Sequence, residues 1–572
     1  MRSRSNRETA RPKEEPIVDL DPRTILGDTA RLVERFGDEA YFAALCFRSG
    51  LVGLQLPHQV ARQLIAFERY GMLGGAIALG ASRHGDRTAL IDQRGEITYT
   101  QLDERSNALA NAWRAQGLEP GEGVAILTRN HRGFLEAVFG AAKCGARIVL
   151  LNTSFAGPQI REVATREGTD LLVHDDEYAK VLGDVEPPRG RWRAWTDDGA
   201  DASSENTLDA LIAGADPGPP PRPGVSSKIT ILTSGTTGTP KGAPRSQPRS
   251  LALIGGLFSK VPFKAGEVTE LAVPMFHALG FMQALVGVAL GSTLVVNRRF
   301  DPAATVTSIE RHRATALVVV PVMLRRMLDL GDDVLRKHDF SSLRIIFVSG
   351  SALGAELAQR ATKAFGPVVY NLYGSTEVAY ATIATPEDLQ ADPSTVGKVV
   401  RGSVVKILDE RGEEVPVGTH GRIFVGNISQ FEGYTGGGGK EAVGGLMSSG
   451  DVGHFDEHGR LFIDGRDDEM IVSGGENVFP AEVEELLVHH PAIREAAAIG
   501  VEDEQFGQRL RVFVVVRDGA TLSEDEIKTY VKENLASYKV PREVVFVDEL
   551  PRNPTGKVLK RELQERASDN PA

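Results

Sequence analysis

Cysteine is almost missing from this chain: 572 residues contain two, Cys46 and Cys144. Two thiols so far apart in sequence form neither a Cys-x-x-Cys redox pair nor a zinc ligand set. They exclude a disulfide framework and suit a reducing compartment. Long hydrophobic runs are missing too. The most apolar N-terminal stretch, Met72–Ala81, is far shorter than the ~20 residues that cross a bilayer, so no transmembrane helix is expected. Positive charge is in deficit. Lys and Arg number 65 against 77 Asp and Glu, a net charge of −12. With no basic stripe interleaved with aromatics, this excludes a nucleic-acid binder. The N-terminus carries Arg2, Arg4, Arg7, Arg11 and Lys13, but no hydrophobic segment follows. It is therefore not a secretory signal, and residues 1–19 read as a disordered tail.

What is present is an ordinary globular composition, 41% apolar and 25% charged, in a chain long enough to divide into more than one domain. Its most informative segment is Thr233–Gly242, TSGTTGTPKG, which follows the apolar stretch Lys228–Leu232. Glycines let backbone N–H groups turn toward an anion, and hydroxyls and a lysine add donors and charge. Such a run is either a phosphate cradle or an ordinary Gly/Thr/Pro turn. It is not a Walker A loop, because Pro240 stands where GxxxxGK[ST] requires glycine.

Residues 20–82 read as a helical extension, with apolar positions spaced by three and four around Phe42, Leu45, Leu64 and Phe67. Packing on the body is the default reading, and contact with a membrane surface the alternative. From Arg87 onward strands alternate with helices: TALID, a helix over 101–116, GVAILT, a helix near 132–143, ARIVLLN. That alternation argues an α/β fold with mostly parallel, layered sheets. Pro217–Gly224 reads as a linker. Strands over 313–321, 343–349 and 368–374 each enter a Gly/Ser-rich turn, and ligands gather beyond such strand ends. Residues 395–463 are richer in short strands. Near Asp468 the chain should pass into a small α+β domain. There Pro480 opens a helix bearing Val483, Leu486 and Leu487, strands run over 495–501 and 509–517, and Ser523 with Glu526 forms a capping box.

Together with the phosphate-loop run, four further blocks in order, YGSTE at 373–377, SGD at 449–451, GRDD at 465–468 and PTGK at 554–557, resemble the adenylate-forming superfamily of acyl-CoA synthetases, amino-acid adenylation domains and luciferases. The resemblance implies a large αβ adenylation domain over 83–466 and a small mobile domain over 467–572. It also implies ATP, Mg2+ and coenzyme A as co-substrates and cofactor. In that chemistry a carboxylate attacks the α-phosphate of ATP and pyrophosphate leaves. The carboxylate is already a nucleophile, so the protein has only to align groups and neutralise charge. The resemblance assigns Thr233, Ser234, Gly235, Thr236, Thr237, Gly238 and Lys241 to the phosphates. Glu377, with Thr236, would hold Mg2+, and Thr376 would face the α-phosphate. For Thr376 and Glu377 the plainer alternative is a helix N-terminus. Gly350, Ser351, Ala352, Asn371, Tyr373, Gly374 and Ser375 would surround adenine. Asp451 and Arg466 would hold the ribose, though an Asp in SGD can also simply cap a turn. Lys557 would bridge carboxylate and α-phosphate, where an unrelated lysine in such a loop would be merely solvated. Family members then rotate the small domain about the residue matching Asp468. Rotation brings Ser473, Gly474 and Gly475 to the pantetheine arm.

The substrate block is PMFHALGF, 274–281. Amino-acid adenylation domains carry an aspartate where this chain has His277, and a buried ammonium without a counter-charge is costly. An α-amino acid is therefore not expected. Phe276, His277, Gly280 and Val322, with Leu279, Phe281, Met323 and Leu324, would line an acyl pocket, although apolar residues here would line core in any case. The wording MSSGDVGHFDEHGRLF and SGGENVFPAEVEELL resembles bacterial fatty acyl-CoA synthetases. One departure is YTGGGGKEAVGGLMS between Gly433 and Ser448, where the family has a longer connection with a tryptophan. The glycines argue a surface loop. The expected partners are a small carboxylic acid, ATP and free coenzyme A, since no carrier domain follows the lysine loop here. The expected location is cytoplasmic, with peripheral membrane contact and homo-oligomerisation left open. Alternatives are transfer to a separate carrier protein, stopping at the acyl-adenylate, ligation of aryl or other acids, and a non-catalytic nucleotide or acyl binder.

Overall fold

A computed structural model describes residues 37–53, 57–197, 206–233, 241–245, 251–431, 433–435, 437–469, 471–473, 476–503, 507–535, 539–553 and 556–568. Three sheets organise them. In the largest, six strands run parallel in the spatial order Thr88–Asp92, Thr293–Val295, Val268–Leu271, Ala316–Val319, Ile345–Val348 and Val369–Ser375. Ala379–Ala384 then turns back antiparallel and leads into Gly397–Val399, Arg460–Arg466, Leu446–Phe455, Gly421–Asn427 and Ser403–Leu408. A second sheet is parallel through Arg191–Trp195, Thr169–Asp175, Gly123–Leu127, Arg147–Leu150 and Lys228–Thr233, with antiparallel Lys241–Arg245 at its edge. A third, small sheet is built from Ile471–Ser473 onward.

The local signals explain the elements. Tyr99–Ala115 is opened by a capping box between Thr98 and Gln101, and Glu524–Asn534 by the expected one between Ser523 and Glu526. Pro480 starts Pro480–Val488, burying Val483 and Leu487. Two of the central strands are wholly apolar, as burial on both faces favours. Ile345–Val348 and Ala316–Val319 are buried along their whole length. In the N-terminal extension, the helix Pro57–His84 bends at Gly71. Phe42, buried, packs so tightly on Gly255 that a Cβ there would lie 2.5 Å from it. The extension therefore packs on the body through this residue. Among the described residues no helix is long and apolar enough to cross a membrane.

One core group has a thermodynamic consequence. Glu270, 1% exposed on Val268–Leu271, accepts hydrogen bonds from Ser308 Oγ at 2.6 Å and Asn297 Nδ2 at 3.5 Å. Burial pushes its carboxyl up to about 7. Because the folded-state value is raised, the stabilisation is complete below the ordinary carboxylate range and is lost as pH rises through about 7. The loss is at most about 3 kcal/mol. Buried histidines such as His277, whose pKa is lowered to about 4, add stability over the same range in both proteins, so the change in melting temperature from pH 5 to pH 8 should be more favourable in Glu270→Gln than in the wild type. A wild type with no greater loss than the variant would show that Glu270 does not drive it.

Candidate active site

The candidate residues collect beyond the carboxyl ends of the central parallel strands. Ile345–Val348 leads to Gly350, Ser351 and Ala352, and Ser349 Oγ donates to the Leu372 carbonyl at 2.9 Å, tying this turn to the neighbouring strand. On Val369–Ser375, Asn371 is buried and Tyr373 half-buried. A Cβ on Gly374 would lie 2.0 Å from the Ala379 carbonyl oxygen, so only glycine fits. Ala379 is one of two described non-glycine residues with positive φ, at 60°. The left-handed conformation costs about 1–2 kcal/mol in an L-residue. Gly374 and Ala379 thus close a tight antiparallel hairpin, and Thr376, Glu377 and Val378 form its tip. The helix-N-terminus alternative for Thr376 and Glu377 is corrected: the chain reverses into a second strand.

The Glu377 carboxylate is held on both oxygens. Ser375 Oγ donates to Oε2 at 2.9 Å, and the Tyr434 hydroxyl to Oε1 at 2.9 Å. Burial, then the charge of Glu377, holds the Tyr434 phenol far above its ordinary range, so it remains a donor. Lys241 Nζ lies 5.1 Å from the centre of the Tyr434 ring. Next to it, Gly242 N donates to Thr435 Oγ1 at 3.0 Å, and Thr435 Oγ1 donates to Glu167 at 2.7 Å. The strand leaving the phosphate run is therefore joined to the Glu377 carboxylate through 434–435. A carboxylate fixed by two hydroxyls, with remaining lone pairs, suits a hard cation such as Mg2+. Sequence reasoning missed Tyr434, Thr435 and Glu167. The signal was the tyrosine at the head of the glycine-rich connection.

Asp451 and Arg466 face each other across Leu446–Phe455 and Arg460–Arg466. Arg466 Nη1 donates to Asp451 Oδ1 at 3.1 Å, and the Tyr373 hydroxyl donates to Oδ2 at 2.5 Å. Burial and the Asp451 charge keep that phenol protonated. One acidic residue thus joins the adenine and ribose candidates.

Lys557 is exposed on a turn in which its N–H donates to Asn553 Oδ1 at 2.9 Å and its carbonyl accepts from Asn553 N at 2.9 Å. Arg552 donates to the Gly556 carbonyl at 2.6 Å and to Glu495 at 2.6 Å, fixing the base of the turn. Gly556 rests on the large unit: a Cβ there would lie 2.0 Å from Val322 Cγ1. The lysine loop therefore docks on the N-terminal turn of Pro321–Leu328, against an acyl-pocket candidate.

His277 occupies the N-cap position of Ala278–Ala289, where its backbone is extended, and its ring lies 4.4 Å from that of Phe276. Among the described residues its Nε2 has no hydrogen-bond partner, and burial lowers its pKa to about 4, so the ring is neutral at pH 7. Phe276 is buried. Gly280 differs from expectation. A Cβ there would lie 2.2 Å from the Pro274 carbonyl oxygen, so it is a glycine that lets the helix pack on backbone, and a side chain would not enter a channel from it. Ser234, Gly235, Thr236, Thr237 and Gly238 lie outside the described residues, as do Gly474, Gly475 and the side chains of Thr233, Asp468 and Ser473. The backbone of Asp468 lies in a short turn, Asp467–Glu469.

The chain matches the family described as AMP-binding enzyme over residues 78–435 and that family's C-terminal domain over 482–557. It belongs to the AMP-binding enzyme family, within the adenylate-forming superfamily. It is an ATP-dependent acid-activating ligase of the acyl- and aryl-CoA ligase type. It is 31% identical over 500 residues to a fatty acid–[acyl-carrier-protein] ligase, ScoC, of Streptomyces coeruleorubidus, covering 84% of this chain and 93% of that protein. It is 33% identical over 495 residues to a feruloyl-CoA synthase of an Amycolatopsis species, covering 85% and 95%. The crystal structure of ATP-bound MatB from Rhodopseudomonas palustris superposes with a TM-score of 0.76 at 27% identity, over 87% of this chain and 99% of that one.

Proposed function

We infer that the acid is a fatty acid and that the acceptor is coenzyme A. The acyl carboxylate attacks the α-phosphate of ATP, forming the carboxyl–phosphate bond and releasing pyrophosphate. The thiol of coenzyme A then attacks the acyl carbon, forming the thioester and releasing AMP. In this reading the phosphate run and Lys241 hold the phosphates, Glu377 holds Mg2+, and Asp451 with Arg466 holds the ribose. Lys557 steadies the carboxylate during the first step. The small unit then turns about Asp468 to bring Ser473–Gly475 to the thiol. The change of sheet supports the placing of this hinge: the last strand of the large sheet ends at Arg466 and the first of the small one begins at Ile471.

The observation that carries the fatty-acid reading is the docking of Gly556 on Val322. It sets the lysine turn against the helix Pro321–Leu328, whose buried face carries Met323 and Leu324 and which also bears Arg325 and Arg326. His277 is neutral and supplies no charge for an ammonium. The likeness to ScoC, a fatty acid–[acyl-carrier-protein] ligase, favours the same acid class and makes a carrier protein the second candidate acceptor. The test is kcat/KM for saturated acids of increasing length, with coenzyme A or a phosphopantetheinylated carrier protein. Each methylene buried contributes about 0.8 kcal/mol, so kcat/KM should rise close to fourfold per carbon and then stop. A flat series with preference for aryl acids would overturn the acid assignment. Transfer only to the carrier protein would overturn the acceptor.

A further inference from the structure

On the solvent side of the β-rich part of the large sheet, His420, His454 and Asp464 lie together, with one ligand atom from each within 4.8 Å of the others. The topology puts them there. Gly421 pairs with Gly453, so His420 and His454, one residue further out on each strand, lie opposite one another. On the next strand Val452 pairs with Gly465 but Gly453 pairs with Ile463. Asp464 is therefore the extra residue of a bulge, a device that re-aims a side chain. Phe455, Leu461 and Ile463 turn inward to a hydrophobic cluster, which leaves His454, Phe462 and Asp464 on the outer face. His454 stacks on Phe462 at 5.3 Å and 12°, which fixes its ring.

We propose that His420, His454 and Asp464 form a binding site for a divalent cation of the zinc class, separate from the nucleotide site. Two imidazoles and one carboxylate are a donor set for Zn2+, Co2+ or Ni2+, whereas Mg2+ takes oxygen ligands. His420 Nδ1 lies 2.6 Å from Asp464 Oδ2, and His454 Nδ1 lies 3.2 Å from each oxygen of the same carboxylate. Metal–ligand bonds of about 2.0–2.2 Å in a tetrahedron separate the donors by about 3.4 Å. Opening the His–Asp separations by less than about an ångström, and closing the two imidazole donors, now within 4.8 Å of one another, by at most about 1.4 Å, therefore admits an ion, with the fourth position open to water. The side chains of Asp464 and His454 are 16% and 25% exposed and that of His420 60%, so the site is pre-formed at its floor and open at its rim. Asp464 and His454 are on the two strands that carry Arg466 and Asp451, so the ion would staple the hairpin from its outer side.

The test uses the full chain, stripped by chelator and kept in excess Mg2+ so that the nucleotide site's metal position is competed for. Zn2+ is titrated by calorimetry, and Co2+ by its visible absorption. The expected result is one saturable ion per chain, visible bands of imidazole-ligated Co2+, and a higher melting temperature with Zn2+. His420→Ala and Asp464→Asn should each weaken Zn2+ binding by at least about tenfold and abolish the melting shift. His420 is exposed enough that its substitution leaves folding intact. Wild-type protein without saturable binding, or His420→Ala binding Zn2+ as tightly as wild type, would overturn the proposal.

Discussion

Lys557→Ala is expected to slow acyl-adenylate formation by about 10²–10³-fold, the usual cost of removing one donor aimed at developing charge. Thioester formation from supplied acyl-adenylate and coenzyme A should keep most of its rate. The split follows from where the lysine sits. Its backbone is clamped at Asn553 by hydrogen bonds of 2.9 Å in each direction, while the side chain is exposed. Truncation therefore removes an ammonium and leaves the turn, which rests on Val322 through Gly556 rather than through the lysine. Acid-dependent exchange of pyrophosphate into ATP measures the first step, and thioester release from synthetic acyl-adenylate the second. Equal loss in both would mean that the lysine holds the fold or the nucleotide in general.

Glu377→Gln should lower turnover by about 10²-fold or more, with partial recovery at high Mg2+. The amide keeps the shape of the carboxylate but not its charge. It also disturbs the hydrogen bonds, because Ser375 and Tyr434 donate to different oxygens of Glu377, each at 2.9 Å, and the amide's single oxygen can accept from only one of them. Tyr434→Phe separates the two effects. It removes one hydrogen bond and leaves the charge, at a cost of about 1.5–3 kcal/mol, about ten- to a hundredfold. The measurement is kcat and KM for ATP across a Mg2+ titration. A Glu377→Gln enzyme with wild-type turnover at limiting Mg2+ would remove Glu377 from the metal site. Tyr434→Phe more damaging than Glu377→Gln would make the tyrosine the principal group.

Much of this was legible in the sequence because the signals were local or were ordered motifs. Alternating strands and helices gave the layered α/β fold, and the Ser523–Glu526 spacing gave its helix start. Asp451 and Arg466 could be paired by motif, and they are cross-strand partners. The Tyr373–Asp451 bond could not be read, since it joins residues from separate strands and depends on how the sheet curls. At Thr376–Glu377 a helix start stood as the alternative reading, because hydroxyl and acidic residues serve both a helix start and a hairpin tip. The residue that decides is Ala379, whose positive φ leaves no mark in its identity. Gly280 misled for a related reason. A glycine among apolar residues reads as open space, yet here it is space already filled by the Pro274 backbone. Tyr434 was hidden by the glycines after it, and its partner Glu377 lies 57 residues away.

The most direct measurement of the account is the fate of ATP labelled at its α-phosphate, given a long-chain fatty acid, coenzyme A and Mg2+. Labelled AMP and an equal amount of pyrophosphate, formed only when the acid is present and lost in Lys557→Ala, are predicted. Labelled ADP, or nucleotide that binds and is returned unchanged with every acid offered, would contradict it.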